Sequence, residues 1–413
     1  MVTPLTLPVP RLGLLLADWS SPVKMEHAFL TASNASATTI AEERRALREL
    51  PARRLSAQVT TMTRVAGERL RMAMRRLATG RQPWPLWQDA RPITADYTYG
   101  SPKIIPIDTT YARFYVGARV WVWDQVEGEA ANAELCTITA KTDSQITVSS
   151  TVYSRAVGRG MVAPSIDLDL HLESGSQALT GYYHSAGVQL DEYAGLSCYP
   201  LLDSYPPTGF TLKDGDPILE VDPDWALEVR RGIVREGYAQ RIGRAEHRYG
   251  VGETRETISF TMTAMNRAEA WEIMRFMDSL QGRLRPFWIV APEERYVIVG
   301  SGVGYIDVLA LDSHATDIDT IENVAIVEPG GGVPVILEIT SHADNGSTWR
   351  LGTSTGFSLP SQVARASDVY HVRLADDRWT ESWITDTVCQ VSINCVQLRN
   401  EGVVEAVGMP SEF

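Results

Sequence analysis

Apolar and polar positions alternate between Glu256 and Thr263, and Ile258, Phe260 and Met262 fall on one side. The stretch predicts a strand. The period then changes. Ala270, Trp271, Met274, Met277 and Leu280 recur at helical spacing and predict an amphipathic helix. Gly282 closes it, Arg283 follows, and Pro286-Phe287-Trp288-Ile289-Val290 reads as an apolar strand. The first half of the chain shows the same succession. Leu55 to Thr63 alternates loosely, with Val59, Thr60 and Thr61 favouring a strand. Val65, Ala66, Leu70, Ala73, Met74 and Leu77 then share one helix face. Gly80 closes that helix, Arg81 follows, and Pro83 and Pro85 prevent its continuation. Each helix is expected to lie across one face of an antiparallel sheet. Residues 39–50 predict a separate short helix, cut by Pro51.

The order of these signals points to one plan used twice. Asp18-Trp19, Thr61-Met62-Thr63, Gly80-Arg81 and Pro85-Leu86-Trp87 are answered by Asp224-Trp225, Thr261-Met262-Thr263, Gly282-Arg283 and Pro286-Phe287-Trp288. A tandem duplication of a domain is the simplest source of such a series. Short strand signals follow each core: Arg119–Trp123, Leu135–Ala140 and Ile146–Ser149 in the first half, Val324–Val327, Val335–Thr340 and Trp349–Leu351 in the second. Asp143-Ser144 and Asn345-Gly346 mark turns between them. They predict a small barrel or sandwich attached to each core. The expected fold is mainly β with α+β elements: two similar β-sandwich-plus-helix cores, each with a small appended or inserted β-barrel-like domain. The expected divisions are an extended segment 1–17, a first core 18–110, a first small β domain 111–180 and a linker 181–223. A second core 224–310, a second small β domain 311–375 and returning strands 376–413 complete the chain.

Composition narrows the function. A net charge of −13 over 413 residues argues against a general nucleic-acid binder. The four cysteines, Cys136, Cys198, Cys389 and Cys395, form no CxxC pair and read as reduced thiols. No apolar run approaches the length of a membrane span, and Leu12–Ala17 makes no credible signal peptide.

No catalytic constellation emerges. The seven histidines lack metal-ligand spacing, and neither a nucleophile elbow nor a phosphate loop is present. Gly300-Ser301-Gly302-Val303-Gly304 reads as a turn before a strand. Asp167, Asp169 and His171 would share one strand face, where a solvated edge competes with acid/base or cation chemistry. An arginine cluster without lysine runs from Arg44 to Arg91 and includes Arg71, Arg75 and Arg76. An interface with acidic partner surfaces competes there with a solvated face and with passing nucleic acid. Trp84, Trp87, Trp121, Trp123, Trp379 and Trp383 suit core packing or, at loop ends, sugar or protein contacts.

The helix, Gly-Arg, apolar-strand element resembles the distal tail proteins of long-tailed bacteriophages and related gene transfer particles. The residues that carry it are Phe276, Gly282, Arg283, Phe287 and Trp288 in the second half, and Met74, Gly80, Arg81, Leu86 and Trp87 in the first. Leu374-Ala375-Asp376-Asp377-Arg378-Trp379-Thr380-Glu381 has a similar character. The duplicated core departs from the family's single one. The resemblance implies a non-enzymatic structural virion protein at the tail tip or baseplate, without cofactor, catalytic or metal residues. It also implies a homo-oligomer that meets tail tube, hub and fibre proteins, with DNA only passing through its lumen. Two cores per chain then favour a trimer with pseudo-six-fold symmetry over a hexamer, because oligomers close symmetrically. The Gly80-Arg81 and Gly282-Arg283 turns, with Trp87, Phe287, Trp288 and the arginines 71, 75 and 76, are the expected structural and interface residues. A carbohydrate-binding adhesin and a tail-associated hydrolase are the competing classes.

Overall fold

The computed structural model describes residues 16–17, 19–35, 42–61, 67–68, 70–72, 75, 82–126, 129–170, 177–180, 183–192, 199–219, 230–235, 238–239, 247–248, 254–290, 296–310, 323–327, 334–354 and 365–398. The fold is mainly β, with two sandwich-plus-helix cores and small closed barrels.

The first core opens with β1 (Val23–Ala28), the hairpin β2 (Thr31–Ala35) and β3 (Glu42–Ala46), and β4 (Ala52–Thr61). Residues 42–46 are therefore a strand, not the helix expected over 39–50. Five backbone pairs with β2 outweigh a weak local helix pattern that Pro51 had already cut short. Along β4 every second side chain is buried, so its loose alternation in sequence is a strict one in space. Helical residues at Gly67, Glu68, Leu70, Arg71, Met72 and Arg75 follow, then β5 (Gln82–Pro85) and one turn of 3₁₀ helix over Trp87–Asp89. A six-stranded barrel comes next: β6 (Arg91–Pro92), β7 (Lys103–Pro106), β8 (Arg119–Val126), β9 (Glu129–Thr142), β10 (Gln145–Val148) and the first half of β11 (Gly160–Leu170). It closes in the order β6-β7-β10-β9-β8-β11, with Ile93 bridging to Ile107 and β11 returning to β6. Its apolar core runs from Ile93 to Val162, so the small domain begins before residue 111. The reason is that β6 and β7 are already barrel strands; at the far end β11 continues out of the barrel into the core, where β12 (Gln177–Thr180) and β13 (Tyr183–Glu192) finish the unit.

A short hairpin, β14 (Leu212–Lys213) and β15 (Asp216–Pro217), lies in the connection. The second core then runs through β16 (Arg230–Arg235), the hairpin β17 (Tyr238–Ala239) and β18 (His247–Arg248), β19 (Thr254–Ala264), helix α1 (Arg267–Leu280) and β20 (Pro286–Val290). A second barrel is built from β21 (Tyr296–Gly302), β22 (Tyr305–Ala310), β23 (Asn323–Val327), β24 (Val335–Asp344), β25 (Trp349–Thr353) and β26 (Arg365–Leu374). It closes as β21-β22-β25-β24-β23-β26, the same order as the first. The glycine-rich stretch 300–304 is the β21–β22 hairpin. The C-terminal strands β27 (Arg378–Trp383) and β28 (Cys389–Gln397) return to the second core, with Cys389, Val391, Ile393 and Cys395 buried on one face.

The pairing patterns of the two cores correspond position by position. Arg54↔Asp191 through Thr61↔His184 between β4 and β13 becomes Thr257↔Val396 through Ala264↔Cys389 between β19 and β28. Leu168↔Glu192 becomes Val372↔Gln397, and Ser165↔Pro85 becomes Val369↔Val290. Lys24↔Ser56 becomes Arg230↔Ser259, and Ala178↔Ser185 becomes Ser382↔Gln390. Some sequence matches do not follow this register. Thr61 corresponds to Ala264 rather than Thr261, and Trp288 sits where the first core has Pro83. Trp87 lies beyond β5 in the 3₁₀ turn, while Trp288 is in the middle of β20. Burial explains the difference: matching Thr61 to Thr261 would displace β4 by three residues, and an odd displacement turns its buried side, which includes Thr61, onto the half-exposed side of β19.

Candidate assembly site at the junction of the two cores

The two cores share one sheet. β1 of the first pairs antiparallel with β27 of the second from Val23↔Trp383 to Ala28↔Arg378. The strands run β12-β13-β4-β1-β27-β28-β19-β16 without interruption. One apolar core underlies both halves, from Val23, Leu55 and Leu190 to Phe260, Met277 and Ile393. The barrels keep separate cores.

The buried side of the β1–β27 seam holds charge. Glu381 Oε1 accepts from Arg113 Nη2 at 2.7 Å and lies 3.2 Å from His27 Nε2, while Trp383 Nε1 donates to Oε2 at 3.0 Å. Arg113 also donates to Asp89 Oδ2 at 3.1 Å, and Asp278 Oδ1 is 3.7 Å from His27 Nδ1. The His27 ring stacks on Trp379 with centroids 4.1 Å apart. Burial alone would push the Glu381 carboxyl up, but Arg113 and the hydrogen bond from His27 outweigh it and hold it down at about 2. The same balance keeps Arg113 charged: burial opposes it, and Glu381 and Asp89 raise it above its ordinary value. Arg113, His27, Asp89, Asp278 and Glu381 are at most 2% exposed, so the cluster meets no substrate and acts as a lock between the first core, its barrel and the second core.

Gly282-Arg283 forms a second lock. Gln281 takes the left-handed conformation directly after α1 and Gly282 follows at φ +70, so two residues make the stop where one was expected. A Cβ on Gly282 would stand 2.8 Å from Asp377 Oδ1 and 3.0 Å from its Cα. That closeness lets Asp377 accept from the Arg283 N–H at 3.0 Å and from the Thr31 N–H at 2.9 Å. The Arg283 carbonyl in turn accepts from Arg44 Nη1 at 2.8 Å. Hairpin β2–β3 of the first core is thereby fastened to the turn of the second. Phe287 is fully buried edge-on to Phe276, and Trp288 stacks on His371 while its Nε1 donates to the Lys213 carbonyl at 3.0 Å. Trp87 is buried edge-on to Trp84.

The other expected residues are dispersed. Gly80, Arg81 and Arg76 lie outside the described residues. Arg71 is half-exposed and pairs with Glu68 at 3.4 Å, and Arg75 is exposed. Arg53 and Arg91 are buried struts: Arg53 meets Glu192 at 3.5 Å, and Arg91 donates to the carbonyls of Thr110 and Tyr111. Asp167 pairs with Arg119 on the strand face. Trp84, Trp87, Trp123, Trp379 and Trp383 are buried, which removes them as sugar platforms. Among the described residues no group of three His, Cys, Asp or Glu side chains is placed to hold a metal ion. A shallow depression of about 690 Å³ on the first barrel is lined by Asp96, Tyr97, Lys103 and Arg155.

The face of the shared sheet opposite the core is polar. Ser56, Gln58 and Thr60 on β4, Thr261 and Thr263 on β19, and Ser392 on β28 are half-exposed or exposed. Thr261 and Ser392 hydroxyls meet at 3.1 Å, and Gln390 donates to Thr263 at 3.3 Å. Among the described side chains of this face Arg54 pairs with Asp191 at 2.6 Å and Arg378 with Glu26 at 3.4 Å, while Lys24 is exposed. No described helix is long and apolar enough to cross a membrane. No protein-family model matches the chain, and no curated protein matches it either.

Proposed function

We propose that this protein is a structural, non-enzymatic ring component of a bacteriophage-type tail tip or baseplate, incorporated in the virion after synthesis in host cytoplasm. Its ring joins the tail tube to the hub and fibre proteins. The observation that carries this reading is the edge-to-edge union of two cores with corresponding ladders. One ancestral module copied head to tail accounts for both. A chain of that build supplies two neighbouring wall segments of a ring, and three chains supply six. A six-fold tube can then meet a three-fold hub through one protein. The hydroxyl- and amide-rich sheet face suits a water-filled lumen through which DNA slides, because among its described side chains Arg54 and Arg378 are held by carboxylates rather than offered to phosphates. The barrels lie outside that sheet and are free to meet fibres.

Native mass measurement and electron-microscope images of the purified protein test the reading. Three chains per ring with six similar lobes are expected, as is binding to the open end of isolated tail tubes. A protein that stays monomeric and ignores the tubes overturns it, and a ring of six full chains overturns the trimer.

A further inference from the structure

The β1–β27 seam is half of a pattern. In the first core the outer edge of β1 is covered by β27, but the corresponding strand of the second core, β16, pairs only with β19 among the described residues. In the second core the outer edge of β27 is covered by β1, but its counterpart β12 pairs only with β13 among the described residues. Thus the eight-strand run ends in two edges of opposite kind, β12 at one end and β16 at the other. These are the same two kinds that meet at its centre. A single chain cannot satisfy both ends with the seam it already uses. The seam is also heterologous, joining unlike edges, and such contacts repeat from subunit to subunit until they close a ring. Unpaired edges otherwise invite uncontrolled pairing.

We propose that β16 pairs antiparallel with β12 of a second copy of this chain, in the register of the internal seam. The correspondence fixes that register. Lys24 answers to Arg230, since Lys24↔Ser56 becomes Arg230↔Ser259. Ser382 answers to Ala178, since Ala178↔Ser185 becomes Ser382↔Gln390. Lys24 stands opposite Ser382, so Arg230 stands opposite Ala178 of the neighbour. One step on, Met25↔Glu381 places Arg231 opposite Gln177. This inference rests on the reading of the cores as one repeated module and adds the surfaces that join the chains. Three chains so joined carry their eight-strand runs into one wall of about 24 strands. At normal strand spacing and tilt that wall is roughly 45–50 Å across at the backbone, wide enough for a DNA duplex.

The test uses the full chain with Cys198→Ser as background. Ala178→Cys and Arg230→Cys are made singly and together, and Gln177→Cys with Arg231→Cys is made as a second pair. Directly opposed residues of an antiparallel pair have Cα atoms about 4.5 or 5.5 Å apart, both within disulfide reach. On mild oxidation each single variant should remain one chain. An equal mixture of the two singles should give a covalent two-chain species, rising from near zero to the major band. The double variant should give two- and three-chain species and nothing longer. Circular dichroism matching the parent confirms that the variants fold, and the second pair serves if the first does not. Self-cross-linking of either single variant, or disulfides confined within one chain, overturns the proposal. So does silence of both pairs. Rings seen in images with both pairs silent overturn the edge pairing and leave the tail-ring reading standing, whereas a monomer at every concentration overturns both.

Discussion

At the scale of the residue, the junction depends on groups that no local pattern advertises. Gly282 was visible as a helix stop, but its closeness to Asp377 was not. Gly282→Ala combines a positive φ with a Cβ against backbone and should cost roughly 1–3 kcal/mol, read as a lower midpoint of urea unfolding. An unchanged midpoint would refute the close packing. Arg283→Ala leaves the turn's backbone bonds intact but removes the side-chain contact with Asp377, so it should loosen the tie between the cores and weaken ring formation through it. Rings at wild-type yield in that variant count against its role. The buried cluster gives a larger effect. Arg113→Ala leaves Glu381 without its arginine, while Asp89 keeps Arg267 at 3.2 Å, and should cost about 3–5 kcal/mol. Glu381 also sets an acid dependence. Its carboxyl is held at about 2 against an ordinary 4.5, so its contribution is complete above pH 4.5 and is lost as pH falls toward 2. The shift corresponds to about 3 kcal/mol. Stability of the wild type should fall over that window, and Glu381→Gln should flatten the fall. Equal slopes for the two proteins would remove Glu381 as the cause.

At the scale of the element, α1 shows how much a sequence can say. Its apolar spacing matches the buried residues Ala270, Met274, Met277 and Leu280. The start is set by Asn266, whose side chain accepts from the Glu269 N–H at 3.0 Å, while the Glu269 carboxylate receives the Met265 N–H at 2.9 Å. Asn266→Ala should therefore cost about 1 kcal/mol in thermal melts, and a change near zero would mean that packing alone fixes the helix start. The strands of β4, β19 and β28 were equally legible, because a half-buried strand must alternate. Residues 42–46 were not, since a two-stranded hairpin draws its stability from its partner and from the Gly282 turn beneath it. The short motif Pro-apolar-Trp misled in a different way: similar words at Trp87 and Trp288 occupy a 3₁₀ turn and a mid-strand site. Register is set by which side chains face the core, and a motif match of three residues carries no information about that face.

At the scale of the whole molecule, the halves are not two beads on a string. They share an apolar core, a strand seam and a buried ionic cluster. Residues 1–219 and 220–413 expressed together as separate chains should therefore co-purify as one complex. Halves that elute independently would contradict a shared sheet of this extent. Legible in the residues alone were the β-rich class, the helix-to-strand turn after α1, the alternating strands and the presence of small β units beside each core. These follow from local periodicity and turn chemistry, which act over a few residues. Legible only in the folded chain are the crossing of β27 to β1, the meeting of Arg113 and Glu381 across the seam, the tie from Asp377 to the Gly282 turn and Thr31, and the single described pairing each of β12 and β16. Contacts between residues hundreds of positions apart depend on which surfaces the folded cores bring together, and hydrophobic patterning, being non-directional, names a buried face without naming what covers it.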